Sequence, residues 1–308
     1  MGLTLSSMIA KMIVLNAEKK ILNRLKPIIF GAFILLSACT AITPSLNKLE
    51  DFPQASFSHE PFGHVLSHHV DKQGHVDYQT LKNQSDNIEA YYQLISQFSP
   101  DSHPELFPTK QHRLAYWINA YNAAVIKIVL NYYPIAGIED VTPPFPFFFL
   151  PDKTGFFVFQ RPVFGTVSTS LYYLENSVIR KRFSEPRIHF ALNCASLGCP
   201  ILPDYVFTAN QLDQQLERET RRFFSEPRNL RIDHQTKTIY ISSIMDWYED
   251  DFIDWYQLHY PDKNATLLNF ISLYIPETTA RLLENYASSY KIEFTPYDWL
   301  LNDQNTIN

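Results

Sequence analysis

Gln111-His112-Arg113-Leu114-Ala115-Tyr116-Trp117-Ile118-Asn119-Ala120-Tyr121-Asn122-Ala123-Ala124-Val125-Ile126-Lys127-Ile128-Val129-Leu130-Asn131-Tyr132-Tyr133 is the stretch from which the fold is read. Leu114, Trp117, Ile118, Tyr121, Val125, Ile128 and Tyr132 recur at helical spacing, which predicts a long helix with one apolar stripe. Pro134 ends it. Upstream, Gly74 to Tyr78 reads as a short strand after a turn, and Ile88 to Phe98 as a helix. Downstream, Gly155 to Gly165 reads as a hairpin or a pair of strands, Ser168 to Phe183 as a helix, Ile188 to Leu192 as a strand, and Thr208 to Phe224 as a third helix. Leu230 to Ile232 and Thr238 to Ile241 flank a polar turn and predict another hairpin. Helices follow at Ser243 to His259, Ala265 to Tyr274 and Thr278 to Tyr286, and Ile292 to Phe294 is a last strand. This irregular alternation predicts an α+β fold: a single mixed domain, with several helices packed on a small, mainly antiparallel sheet.

The N-terminus reads as a targeting segment. Lys19, Lys20, Arg24 and Lys26 precede a short apolar run from Ile28 to Leu36, too short to span a membrane. Leu36-Ser37-Ala38-Cys39 then resembles the lipobox of bacterial lipoprotein precursors. The resemblance implies a signal peptide over 1–38, cleavage before Cys39, and lipidation of its thiol. Thr40 is not the Asp that often retains lipoproteins in the inner membrane. The expected location is therefore the cell envelope, lipid-anchored at the outer membrane and facing the periplasm. Residues 39–56 read as a tether, 57–300 as the domain and 301–308 as a tail.

The formal charge is −6, and falls to about −10 once the basic leader is gone. Such an acidic chain is a poor partner for nucleic acid. The expected contacts are the membrane, through the N-terminal lipid, and an envelope protein or peptide. No cofactor is expected.

Four prolines in Val141-Thr142-Pro143-Pro144-Phe145-Pro146-Phe147-Phe148-Phe149-Leu150-Pro151 exclude a regular helix or a central strand. The stretch suits a lid, a partner surface or a membrane-dipping loop, or an irregular loop whose aromatics pack on the core.

Chemistry centres on Cys194 and Cys199, the only cysteines beyond Cys39. In an extended strand, His189 and Cys194 would point to opposite faces, so a local dyad requires a turn at Asn193. Nucleophilic catalysis needs a nearby base to generate thiolate. Alternatively, the two cysteines bond to each other, with Gly198 at a permissive turn position. An oxidising exported compartment favours that bond. No second Cys pair or His-x3-His supports a metal site.

Glu175 falls on the apolar stripe Leu171, Leu174, Val178 and Ile179, where a carboxylate is costly unless paired. It reads as a site residue, or as half of an ion pair with an Arg such as Arg113. Asn119 and Asn122 share a helix face. They suit oxyanion donors, or pins for a neighbouring loop. Asp246, Glu249, Asp250, Asp251 and Asp254 read as an acidic helix start more than as a Ca²⁺ site.

Together, Trp117-Ile118-Asn119-Ala120-Tyr121-Asn122, Glu175, Arg180, His189-Phe190-Ala191-Leu192-Asn193-Cys194, Cys199-Pro200 and Trp247-Tyr248 resemble the family called domain of unknown function 547. The matching pieces run over about residues 60 to 255, in order. The family usually has Glu-His where this chain has Glu175-Asn176. It implies positions, not a reaction. The leading expectation is thiol-dependent acyl transfer or amide hydrolysis, with Cys194 as nucleophile, His189 as base if the chain turns and otherwise a distant His such as His112, His234 or His259, and Glu175 or Asn119 orienting the site. The alternatives are a non-catalytic binding or envelope-assembly module with a structural Cys194–Cys199 disulfide, and thiol–disulfide exchange.

Overall fold

The computed structural model describes residues 40–41, 57–286 and 288–305. The segment read as a signal peptide, Cys39 and most of the residues read as a tether lie outside the described residues. The fold is α+β. The sequence reads as one domain over 57–300, but the described chain divides into two compact units, one holding 39–225 with 297–308 and the other holding 226–296.

The larger unit is built on the helix Lys110–Tyr132. Thr109 caps it, its hydroxyl accepting from His112 N, and Tyr133 leaves it in extended geometry before Pro134. The helix is buried almost all round from Leu114 to Ile126 rather than along one stripe, while Tyr132 is exposed. Ala115, Ala120, Ala123 and Ala124 explain the difference, because small side chains let neighbours close over the second face. Helices Glu60–His69, Tyr78–Asn83 and Asp86–Gln97 precede it. Gly74 to Tyr78 does not form an independent strand: Val76 makes single bridges to Val70 and Asp303. The strands here are very short. β1 (Thr40–Ala41) pairs parallel with β2 (Gln160–Arg161), and β3 (Val163–Phe164) pairs antiparallel with β4 (Val167–Ser168).

The predicted helix over 168–183 forms, but with a change of pitch. Leu171–Tyr173 is α-helical, Leu174–Ile179 is π-helical, and Arg180–Phe183 returns to α. The predicted strand Ile188 to Leu192 is instead a 3-10 helix, Pro186–Phe190. Pro186 suits a helix start, and Glu185 caps it by accepting from Arg187 N. Arg187 then ties this turn to Glu185 and Asp213, each at 2.7 Å. The helix Leu212–Ser225 closes this part of the chain.

Residues 297–305 return to the same unit. Leu301, Asn302 and Asp303 are all buried there, so the start of the segment read as a tail belongs to the core.

The smaller unit follows its sequence reading closely. β5 (Leu230–Asp233) and β6 (Thr238–Ser242) form the expected antiparallel hairpin, and β7 (Lys291–Thr295) adds to β6 in parallel. Asp233 Oδ1 accepts from Gln235 N and Thr236 N, and Lys237 takes positive φ, which together make the turn. The acidic residues Glu249, Asp250 and Asp251 sit in the first turn of the helix Glu249–His259, where they complement its dipole. Among the described residues, no helix is long and apolar enough to cross a membrane.

Candidate functional site

The segment after the 3-10 helix turns sharply, and the turn is held from three sides. The first is the central helix. Asn122 Nδ2 donates to Ala191 O at 2.9 Å, and Asn122 Oδ1 accepts from Asn193 N at 2.9 Å. The second is the turn itself. Asn193 Oδ1 accepts from Ala195 N, and Asn193 Nδ2 donates to Pro200 O, both at 2.8 Å. Ala195 adopts a φ of 63°, the left-handed region that alanine rarely occupies. The sequence reading assigned that permissive position to Gly198. Gly198 is needed for another reason: a Cβ there would stand 2.9 Å from the backbone of Asp298.

The third side is the returning C-terminal segment. Leu197 N donates to Leu300 O, Gly198 N donates to Asp298 O, and Ser196 bridges to Leu301. Tyr297 reaches the sulfurs, its hydroxyl 3.1 Å from Cys194 Sγ and 3.1 Å from Cys199 Sγ.

Within this cradle Cys194 and Cys199 form a disulfide, with Cα atoms 6.2 Å apart. Its two ends differ. Cys199 is buried and Cys194 half-buried. Cys199 Sγ accepts from Cys194 N at 3.0 Å and from Ser196 N at 3.4 Å. Ser196 Oγ is buried beside it with no hydrogen-bond partner among the described residues.

The other sequence-predicted residues are placed as follows. His189 is buried in the 3-10 helix. The opposite-face argument against a His189–Cys194 dyad therefore lapses, since no strand exists here; the polar side chain that the structure does place on both sulfurs is Tyr297. Glu175 lies on the π-helical turn, half-buried, and accepts from the Tyr121 hydroxyl at 3.2 Å. Arg113 donates to Phe107 O. Asn176 donates to Tyr172 O and accepts from Arg180 at 2.6 Å. Asn119 is engaged at both amide atoms by one residue, donating to Phe207 O at 2.7 Å and accepting from Phe207 N at 2.9 Å. Adjacent positions of one helix thus hold three elements: Asn119 the Phe207 segment, Tyr121 the π-turn, and Asn122 the cysteine turn. Among the described residues, no group of three His, Cys, Asp or Glu side chains is arranged to hold a metal. Tyr297 was missed. Its signal was the aromatic and apolar run Tyr297-Asp298-Trp299-Leu300-Leu301, which continues past the boundary drawn at residue 300.

A separate cleft of about 450 Å³ is lined by His59, Phe107, His112, Val206, Thr208 and Asn210, among others. Asn119 fixes the backbone between two of these, Val206 and Thr208. His59 Nδ1 is hydrogen-bonded to the Tyr91 hydroxyl at 2.7 Å, with Phe57 packed against the ring. Burial, and secondarily the nearby His112, pull the His59 imidazole from 6.5 down to about 3. The folded state therefore keeps this ring neutral while the unfolded chain protonates it. The stability that this provides is complete above 6.5 and drains as pH falls towards 3. The loss is at most about 1.4 kcal/mol per pH unit, the limit for uptake of one proton. His59→Asn, which retains a partner for Tyr91, is expected to flatten the dependence of the denaturation midpoint on pH between about 6 and 4. An unchanged slope would mean that the folded protein already carries a charged His59.

Residues 106–224 match the family model described as "Protein of unknown function, DUF547". The match is narrower than the motifs read from the sequence, but spans the central helix, the π-turn and the whole cysteine turn. No curated protein and no solved structure shows a significant match to the chain.

Proposed function

We propose that the chain is a lipid-anchored envelope protein acting as a binding or assembly module, with the disulfide-closed turn as its fixed presenting surface. One observation carries this reading: both thiols of the domain are joined to each other, inside a turn whose backbone is held by Asn122, by Asn193 and by the segment 297–302. Closing so short a loop stabilises by about 2 kcal/mol in the chain-entropy model. The surrounding hydrogen bonds fix which shape the loop takes. Anchoring at the outer membrane, through Cys39, places that surface in the periplasm.

Thiol counting by intact mass tests it. The expected result is no free Cys194 or Cys199 without reductant, resistance to mild reductant, and an unfolding free energy lowered by about 2 kcal/mol once the bond is opened. Selective alkylation of Cys194 near neutral pH, with Cys199 unreactive, would overturn the module reading.

That outcome would favour the thiol-enzyme reading, with Cys194 as nucleophile and His189 and Glu175 as its candidate supports; Asn119 is already committed to the Phe207 backbone. Two observations stand behind this second reading. Cys194 is the more accessible sulfur, and Glu175 lies on a π-helical turn, a distortion common at functional sites. The donors on Cys199 also suit a thiolate released by exchange, the third reading.

A further inference from the structure

We propose that the proline and phenylalanine loop 143–151 is a membrane-docking wedge, inserted into the lipid interface beside the acylated end of the chain. The proposal deepens the lipoprotein reading and rests on it. Three rings at the tip stand in solvent: Phe145 is 79% exposed, Phe148 70% and Phe149 71%. They touch one another, Phe145 stacked with Phe148 and Phe148 edge-on to Phe149. A soluble surface rarely leaves such a cluster uncovered.

The backbone suits entry into lipid. Pro143, Pro144, Pro146 and Pro151 have no N–H to desolvate. Two of the remaining amides are bonded inside the loop, Phe147 N to Pro144 O at 2.7 Å and Leu150 N to Phe147 O at 3.0 Å. Phenylalanine adds no polar atom of its own. Four prolines and two internal bonds reduce the amides to be desolvated, and insertion at the interface leaves the loop carbonyls among hydrated headgroups.

The path of the chain identifies the bilayer as the occupant. β1 runs parallel to β2, with Thr40 opposite Gln160 and Ala41 opposite Arg161. Phe159, the residue before Gln160, packs on Phe147 with ring centroids 5.3 Å apart. Cys39 is joined directly to Thr40, and consecutive Cα atoms are about 3.8 Å apart. Thr40, the residue to which Cys39 is bonded, is thus paired on the strand that follows Phe159. A lipid anchor alone fixes distance from the membrane but not orientation. A second apolar point close to it fixes both.

The test uses the full chain extracted from membranes and reconstituted into phosphatidylcholine vesicles. Phe148→Cys is labelled with an environment-sensitive fluorophore, and intact mass reports the state of Cys39 in the same sample. With Cys39 acylated and Cys194–Cys199 bonded, only the new thiol takes the label. The expected result is blue-shifted emission that is quenched by nitroxide-bearing lipids. Adding Phe145→Ser and Phe149→Ser is expected to lower the ratio of docked to undocked loop about tenfold per ring removed. Water-like emission on an acylated chain would overturn the wedge and leave the anchor standing. Unmodified Cys39 would overturn the lipoprotein reading; the label is then placed on Phe148→Cys with Cys39→Ser, so that only residue 148 carries it, and quenching there would support the wedge. Water-like emission with unmodified Cys39 would sink both.

Discussion

Replacing Asn122 with alanine is expected to destabilise the larger unit by about 3 kcal/mol. The side chain makes two hydrogen bonds at once, to Ala191 O and from Asn193 N, both in buried surroundings. Alanine removes both partners and leaves one buried carbonyl and one buried N–H unpaired. Each orphan costs about 1–3 kcal/mol, far more than the net gain from an average hydrogen bond. Asn131→Ala, at an exposed position of the same helix, is the control and is expected to change stability by less than about 0.5 kcal/mol. Chemical denaturation of the two variants gives the comparison. A cost for Asn122→Ala below about 1 kcal/mol would mean that the turn finds other partners and that the helix does not hold it.

Gly155→Ala is expected to cost more than about 3 kcal/mol. An added Cβ would lie 1.7 Å from Val141 O and 2.6 Å from Thr142 C. These are backbone atoms, so no rotamer change relieves the clash. The π-helical turn Gly155–Phe159 must separate from residues 141–142, which lead into the phenylalanine loop. Gly63→Ala is expected to act in the opposite direction. Gly63 lies inside the helix Glu60–His69 and its nearest foreign atom is Val206 Cγ1 at 3.9 Å, so alanine gains up to about 1 kcal/mol of helix propensity. Equal midpoints for the two variants would show that the close approach at Gly155 is absent in solution.

The parts of this fold that were legible in the sequence are those governed by local pattern. The central helix, the helix 171–183, the β5–β6 hairpin and the final strand all rest on periodicity and turn chemistry that a short window contains. The strand expected at Ile188 to Leu192 failed because a short apolar run has no period of its own, while Pro186 and the Glu185 cap favour a helical turn. The site was legible in part. Asn119 and Asn122 stood out as amides inside a helix, and the structure shows both pinning backbone. The Cys194–Cys199 bond was one of several open roles. Tyr297 and the segment 297–302 were not legible, because their pairing with the cysteine turn spans about a hundred residues and obeys no local rule.

That separation has a consequence for synthesis. The disulfide joins residues only five apart, so its sulfurs can meet as soon as the turn has been made. Its surroundings cannot be completed then. Tyr297, Asp298 and Leu300 are reached only after the whole smaller unit, 226–296, has been made. The smaller unit is thus an insertion between two parts of one fold, and the turn that oxidises early receives its final supports late. Between those moments, the sulfur atoms lack the tyrosine hydroxyl that later stands over them. A thiol reagent or oxidoreductase therefore meets this bond less covered during synthesis than after the segment 297–302 has docked.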